Sequence, residues 1–213
     1  PFFLHKRDKA LAAPLNLIYS PVASQKQPDY WIDFFPYGPG SRFPFIGDSL
    51  LTEVKRRKID FELNSEKLLP VSFQKGGCLK ILYPTRKDVY DLPDFILKKK
   101  NSDVLGLISL EENQNKKWFE TLFGQQSKEC WCYYYQKADL AKQRGKWDEI
   151  TQLYEEASSK NLEPEYTFDY FLFIEAYVKT NQSEKTNELI ELASKDKLVA
   201  PLAKSFFAEI VRG

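Results

Sequence analysis

Residues 130–193 read CWCYYYQKADLAKQRGKWDEITQLYEEASSKNLEPEYTFDYFLFIEAYVKTNQSEKTNELIELA, and one helix-turn-helix pattern can be laid over them twice. In the first copy Tyr134, Ala138, Ala141, Gly145, Trp147, Ile150, Tyr154 and Ala157 fall at the spacings of two short antiparallel helices. An offset of 36 carries these to Tyr170, Ile174, Tyr177, Asn181, Ser183, Thr186, Ile190 and Ala193, and large or small apolar residues recur at most of these positions. Gly145 becomes Asn181, and both residue types tolerate the left-handed backbone that closes a helix. Trp147 and Ile150 become Ser183 and Thr186, so the second copy is degenerate. Stacked helical hairpins of this kind make a surface for holding something, and the pattern predicts a binding scaffold.

Within the first copy Trp147, Ile150, Leu153, Tyr154 and Ala157 share one helix face, because offsets of three and four return to the same side. The charges Asp148, Glu149, Glu155 and Glu156 fall elsewhere. Pro164 is expected in the first turn of the next helix, where its missing N–H costs little. That helix carries Tyr170, Phe171, Ile174, Tyr177 and Val178, and its partner carries Leu189, Ile190 and Ala193. A final helix over 201–211, with Leu202, Phe206, Ile210 and Val211, would cap the stack.

The chain has 213 residues, 43% of them hydrophobic and 15% aromatic, which is ample for packed cores and excludes a disordered chain. Net charge is +1, so no global field argues for nucleic acid. Residues 1–127 hold 19 basic and 15 acidic side chains, against 12 and 15 in residues 128–213; that asymmetry suggests two domains divided near residue 127. There is no methionine and the chain opens on Pro1-Phe2-Phe3-Leu4, so the expectation is a start lying upstream, with any membrane attachment belonging to that missing part. No apolar run reaches the 18 residues that a membrane-spanning helix needs.

The front part reads as a mixed α/β or α+β domain. Strands are expected at 15–19, at 59–63 where Ile59, Phe61 and Leu63 alternate with Asp60 and Glu62, at 70–73, at 78–83 and at 104–108. Helices are expected at 48–57, 92–100 and 117–123. The acidic start and basic end of 48–57 suit a helix dipole, and its Lys55-Arg56-Arg57-Lys58 cluster is either a solvated helix end or a contact for an anion. Between residues 30 and 40 aromatics crowd among turn formers. Tyr30, Trp31, Phe34 and Tyr37 either pin an irregular loop to the core or stack on a sugar face, which makes carbohydrate binding the alternative function.

Chemistry has few candidates. The single histidine is His5, so histidine triads and histidine metal clusters are excluded, and Cys78, Cys130 and Cys132 lack zinc-site spacing; neither metal nor cofactor is expected. Carboxylate pairs such as Asp29 with Asp33 or Glu165 with Asp169 arise by chance among 30 acidic residues. Two readings of the cysteines stand: three buried thiols, or, in an oxidising compartment, a disulfide from Cys78 to Cys130 or Cys132, which cannot pair with each other.

The small and aromatic residues Ala138, Gly145, Tyr154 and Ala157, with Tyr177 and Ala193 in the second copy, resemble the tetratricopeptide repeat, although 36 residues separate the copies where 34 is usual. The resemblance implies a non-enzymatic module with a protein or peptide partner. Tyr135, Lys142, Arg144, Tyr166, Asp169, Phe173 and Lys179, off the core stripe of the inner helices, are the candidate contacts. A second resemblance rests on Gly-Gly-Cys-Leu-Lys-Ile-Leu-Tyr-Pro at 76–84 and Cys-Trp-Cys-Tyr-Tyr-Tyr-Gln-Lys-Ala-Asp-Leu-Ala at 130–141. Together these look like the soluble C-terminal part of bacterial multi-spanning membrane proteins related to lipid-linked-sugar glycosyltransferases. That likeness implies an extracytoplasmic location and an accessory role in envelope or glycan assembly, and it carries over no catalytic residue.

Overall fold

The computed structural model describes residues 51–56, 59–64, 69–72, 77–86, 88–89, 104–108, 121, 128–197 and 199–212. The chain divides into two compact units, one of residues 1–68 with 106–125 and one of residues 69–105 with 126–213. Residues 69–105 thus group with the helices, where the sequence suggests a division near residue 127. The physical reason is a set of long-range links described below, which composition does not register.

In the first unit β1 (Leu51–Arg56) pairs antiparallel with β2 (Ile59–Asn64). The helix expected at 48–57 is thus a strand over its described part. The register sets Thr52 opposite Leu63, Val54 opposite Phe61 and Lys55 opposite Asp60, and β-branched residues in such a ladder outweigh a helical charge pattern. The strand expected at 59–63 is present as β2.

Among its described residues the second unit is mostly helical. A two-residue ribbon, β3 (Val71–Ser72) with β4 (Lys80–Ile81), lies at the expected places and is extended by Leu82 N–H donating to the Pro70 carbonyl at 2.9 Å. Val104 and Leu105, expected in a strand, are helical and are followed by a turn at Gly106 and Leu107; Val104 is fully buried. Among the described residues of this unit five helices follow: α1 (Trp131–Gln143), α2 (Trp147–Ser159), α3 (Tyr170–Lys179), α4 (Ser183–Ala193) and α5 (Ala200–Arg212). Each of the first four packs on its sequence neighbour, and α5 covers α3 and α4 as the expected closing helix. Pro164 stands before α3, which starts later than expected, after a 3-10 turn at Thr167–Asp169.

The two hairpin turns share one geometry. Gly145 has φ +66° and Asn181 φ +57°, and each closes its helix with paired backbone bonds. In the first turn Gly145 N–H donates to Lys142 O at 2.9 Å and Lys146 N–H to Ala141 O at 3.0 Å. In the second, Asn181 N–H donates to Val178 O at 3.1 Å and Gln182 N–H to Tyr177 O at 2.9 Å. A left-handed residue lets these end carbonyls find donors, which explains why glycine and asparagine stand there. Asn161, at φ +56°, ends α2 in the same way.

The core is aromatic. Trp131 meets Phe173 at 5.3 Å between ring centroids, Tyr170 at 5.9 Å and Tyr154 at 6.2 Å, mostly edge to face, while Phe171 stacks on Phe206 of α5 at 4.7 Å. Ile150 and Thr186, related by the offset of 36, are both buried. The polar Thr186 is accommodated because its hydroxyl donates to Gln182 O at 2.9 Å.

Candidate functional site

The densest polar chemistry of the second unit lies where residues 77–86, Asp88 and Val89, hereafter the strap, lie on the helices. Cys78 is joined to Cys132 of α1 by a disulfide with a Cα–Cα distance of 5.2 Å, and Cys130 is exposed and outside that bond. Two residues on, β4 turns Lys80 inward. Its ammonium lies 2.7 Å from Asp169 Oδ1 and 3.1 Å from Asp88 Oδ2, and it donates to the Asp88 carbonyl at 2.7 Å. The rings of Tyr135 and Tyr166 flank the same ammonium, with centroids at 5.1 and 5.2 Å.

Arg86 holds the other end. Its Nη1 donates to Asp139 Oδ2 at 3.0 Å and to the Ile81 carbonyl at 2.8 Å, and its Nη2 donates to Asp88 Oδ2 at 3.0 Å. Nη2 also donates to the Tyr135 hydroxyl, which in turn donates to Asp88 Oδ2. Asp139 and Tyr135 share one face of α1, four residues apart, which is why the planar guanidinium can reach both.

Two cations face three carboxylates, so ionising all three would leave a net negative charge in a dry site. Burial accordingly pushes the Asp139 and Asp169 carboxyls above the ordinary aspartate value. Asp88 is also subject to the raising effect of burial, but Arg86 and Lys80 beside it prevail and hold it well below that value. Burial pushes the Tyr83 and Tyr135 phenols up, and Asp139 and Asp88 respectively add to the rise. Arg86 sits above its ordinary value because Asp88, Tyr135 and Asp139 outweigh the cost of its burial. The groups neutralise one another, as a cluster that joins segments must.

The candidate contact residues separate into two sets. Tyr135, Asp169 and Phe173 are each 0% exposed, so the expectation that they lie open to a partner is corrected. Tyr135 and Asp169 lie beneath the strap, and Phe173 fills the aromatic core between Trp131 and Tyr154. Arg144 and Lys179 are exposed; Tyr166 is half-buried beside Lys80, and Lys142 is half-buried in a 2.5 Å ion pair with Glu175 that links α1 to α3. The alternative sugar-stacking set, Tyr30, Trp31, Phe34 and Tyr37, lies outside the described residues, as does the pair Asp29 and Asp33. Sequence reading missed Lys80, Arg86, Asp88 and Asp139 altogether. Nothing in local spacing marks them, although they or their neighbours occupy the stretches 76–84 and 130–141 whose likeness was noted. Those two stretches are the ones the disulfide joins.

Among the described residues no cluster of His, Cys, Asp and Glu is arranged to hold a metal ion, and no helix is long and apolar enough to cross a membrane. Comparison with protein-family models, with curated proteins and with solved structures yields no match to this chain.

Proposed function

We propose that residues 128–213 form two degenerate tetratricopeptide-like hairpins closed by α5, and that the chain is a protein-interaction scaffold with no catalytic role of its own. The observation that carries this reading is the recurrence of one turn geometry at Gly145 and Asn181, with Tyr134, Ala138, Ala141, Ile150 and Ala157 buried in one hairpin and Tyr170, Ile174, Tyr177, Thr186 and Ala193 in the other. Helix pairs with interchangeable packing positions are the construction of stacked repeats, which present surfaces instead of catalytic clefts. The proposal extends to the chain's setting: the soluble part of a larger bacterial membrane-associated protein, facing away from the cytoplasm, near glycan or envelope assembly. A disulfide joining distant segments supports the oxidising side of a membrane, where such bonds persist.

The partner on this reading is a protein or peptide, and the surface left to it includes Arg144 and Lys179 at the ends of α1 and α3. The test is affinity capture with the whole chain, comparing the wild type with Arg144→Glu and Lys179→Glu. Both side chains are exposed, and urea unfolding of each variant checks that the fold is kept. A partner retained by the wild type and lost from the variants is the expected result; capture unaffected by both removes this face from consideration.

A further inference from the structure

We propose that the face made by α1 and the 3-10 turn is a receptor for a dibasic peptide, and that the strap is its built-in occupant, latched by the Cys78–Cys132 disulfide. The proposal rests on the scaffold reading above and names the chemistry of a partner for it.

Charge complementarity is the first support. The helical side contributes Asp139 and Asp169, and the cations in ion-pair contact with them are Arg86 and Lys80, both from the strap. The occupant delivers two cations six positions apart together with Asp88, which pairs with both, so these groups bring a net positive charge to the two carboxylates of the helical side. Each cation has a shaped seat: Tyr135 and Tyr166 rings flank the ammonium, while Asp139 and the Tyr135 hydroxyl receive the guanidinium. Such seats select side-chain chemistry, as aromatic and carboxylate pockets do for basic peptides generally.

The strap's own structure is the second support. Its regular hydrogen bonding is a two-residue strand against Val71–Ser72, so it lies on the helices mainly through side chains and one covalent bond. Leu79, between the latch and Lys80, is 45% exposed, whereas Cys78, Lys80, Leu82, Tyr83 and Arg86 turn toward the helices and are buried. While the disulfide holds, the strap is a tethered ligand at high effective concentration, and a free peptide of the same chemistry competes poorly.

The latch can open. Cys132 is half-buried and Cys78 buried, so Cys132 is the bridged cysteine that a dithiol would attack first. Thiolate attack breaks the Cys78–Cys132 bond, two electrons pass to the pair, two protons complete the thiols, and the reductant leaves as its own disulfide. What remains are non-covalent contacts that a matching peptide can replace.

The experiment uses the full chain and a fluorescent synthetic peptide of residues 77–89 with serine in place of Cys78. Binding and backbone hydrogen exchange are measured on the oxidised protein, after dithiol reduction, and on a Cys78→Ser/Cys132→Ser variant. The expected result is at least tenfold tighter peptide binding, and at least tenfold faster exchange across 79–86, in the reduced and double-serine forms, with α1 to α4 still protected. A control peptide carrying glutamate in place of Lys80 and Arg86 should not bind. Slow strap exchange with no peptide binding after reduction overturns the proposal, as does loss of helix protection, which would make the disulfide a plain staple of the core. Either failure leaves the scaffold reading to the Arg144 and Lys179 capture test, which uses a different surface.

Discussion

Arg86 and Asp139 are 53 positions apart in the chain, yet the guanidinium of one donates to the carboxylate of the other at 3.0 Å, with both side chains less than a tenth exposed. Buried ion pairs contribute little net stability against apolar packing, but removing one partner leaves an uncompensated charge in a dry site. Arg86→Met is therefore expected to destabilise the second unit by about 3–5 kcal/mol. Arg86→Lys should rescue only part of this, because an ammonium cannot serve Asp139, Asp88, Tyr135 and the Ile81 carbonyl together as the planar fork does. Urea unfolding of the three proteins measures it; an Arg86→Lys protein as stable as the parent would refute the assigned geometry.

Stability should depend on pH in two opposite ways. Asp139 and Asp169 bind protons more tightly folded than unfolded, so their contribution favours the fold most below the ordinary aspartate pKa of about 4 and declines as pH rises through their raised values. Asp88 is depressed in the fold, so its contribution is present above about pH 4 and is lost as pH falls toward its folded value. Asp139→Asn, which mimics the protonated acid, should flatten the decline in unfolding free energy on going from about pH 4 toward neutrality. Denaturant titrations at stepped pH give the slope, and an unchanged slope in this variant contradicts the assignment.

The disulfide closes a sequence separation of 54 residues. On the chain-entropy account its loss costs about 4 kcal/mol, so Cys78→Ser and Cys132→Ser should each lower the unfolding midpoint strongly, while Cys130→Ser shifts stability by less than about 0.5 kcal/mol. Thiol titration of the denatured, unreduced protein should find one reactive group, from Cys130, among the three cysteines. Three reactive groups would show that the bond does not form.

Gly145 and Asn181 hold the same left-handed backbone, and a side chain at Gly145 would meet no atom within 4 Å. Any penalty for Gly145→Ala is then conformational and not steric, and is expected at about 1–2 kcal/mol. Asn181→Ala should cost a similar amount, and Asn181→Gly less than about 0.5 kcal/mol, since glycine accepts this conformation freely. Guanidinium unfolding of the three variants decides it, and an Asn181→Ala protein indistinguishable from the parent would mean that the turn relaxes to another form.

Much of the helical unit was legible because its signals are local. Apolar spacing at Trp147, Ile150, Leu153, Tyr154 and Ala157 foretells α2, and Gly145 and Asn181 foretell the turns, since helix periodicity and left-handed closure depend on residues a few positions apart. Local reading erred where a partner from elsewhere intervenes. Residues 51–56 carry a helix-like charge pattern but pair with 59–64, and Val104 carries a strand-like pattern but is helical. Tyr135 and Asp169 fall off the apolar stripe of their helices and look exposed, yet another segment lies over them.

The sequence by itself determined that residues 131–193 would form short amphipathic helices joined by tight left-handed turns, because that information is carried by neighbours in the chain. Only the tertiary structure decided that Cys78 pairs with Cys132 and that Lys80 and Arg86 neutralise Asp169 and Asp139. A charge or a thiol in a sequence has many possible partners; burial removes water as an alternative, and the few groups that the packed backbone brings within reach become the ones that matter.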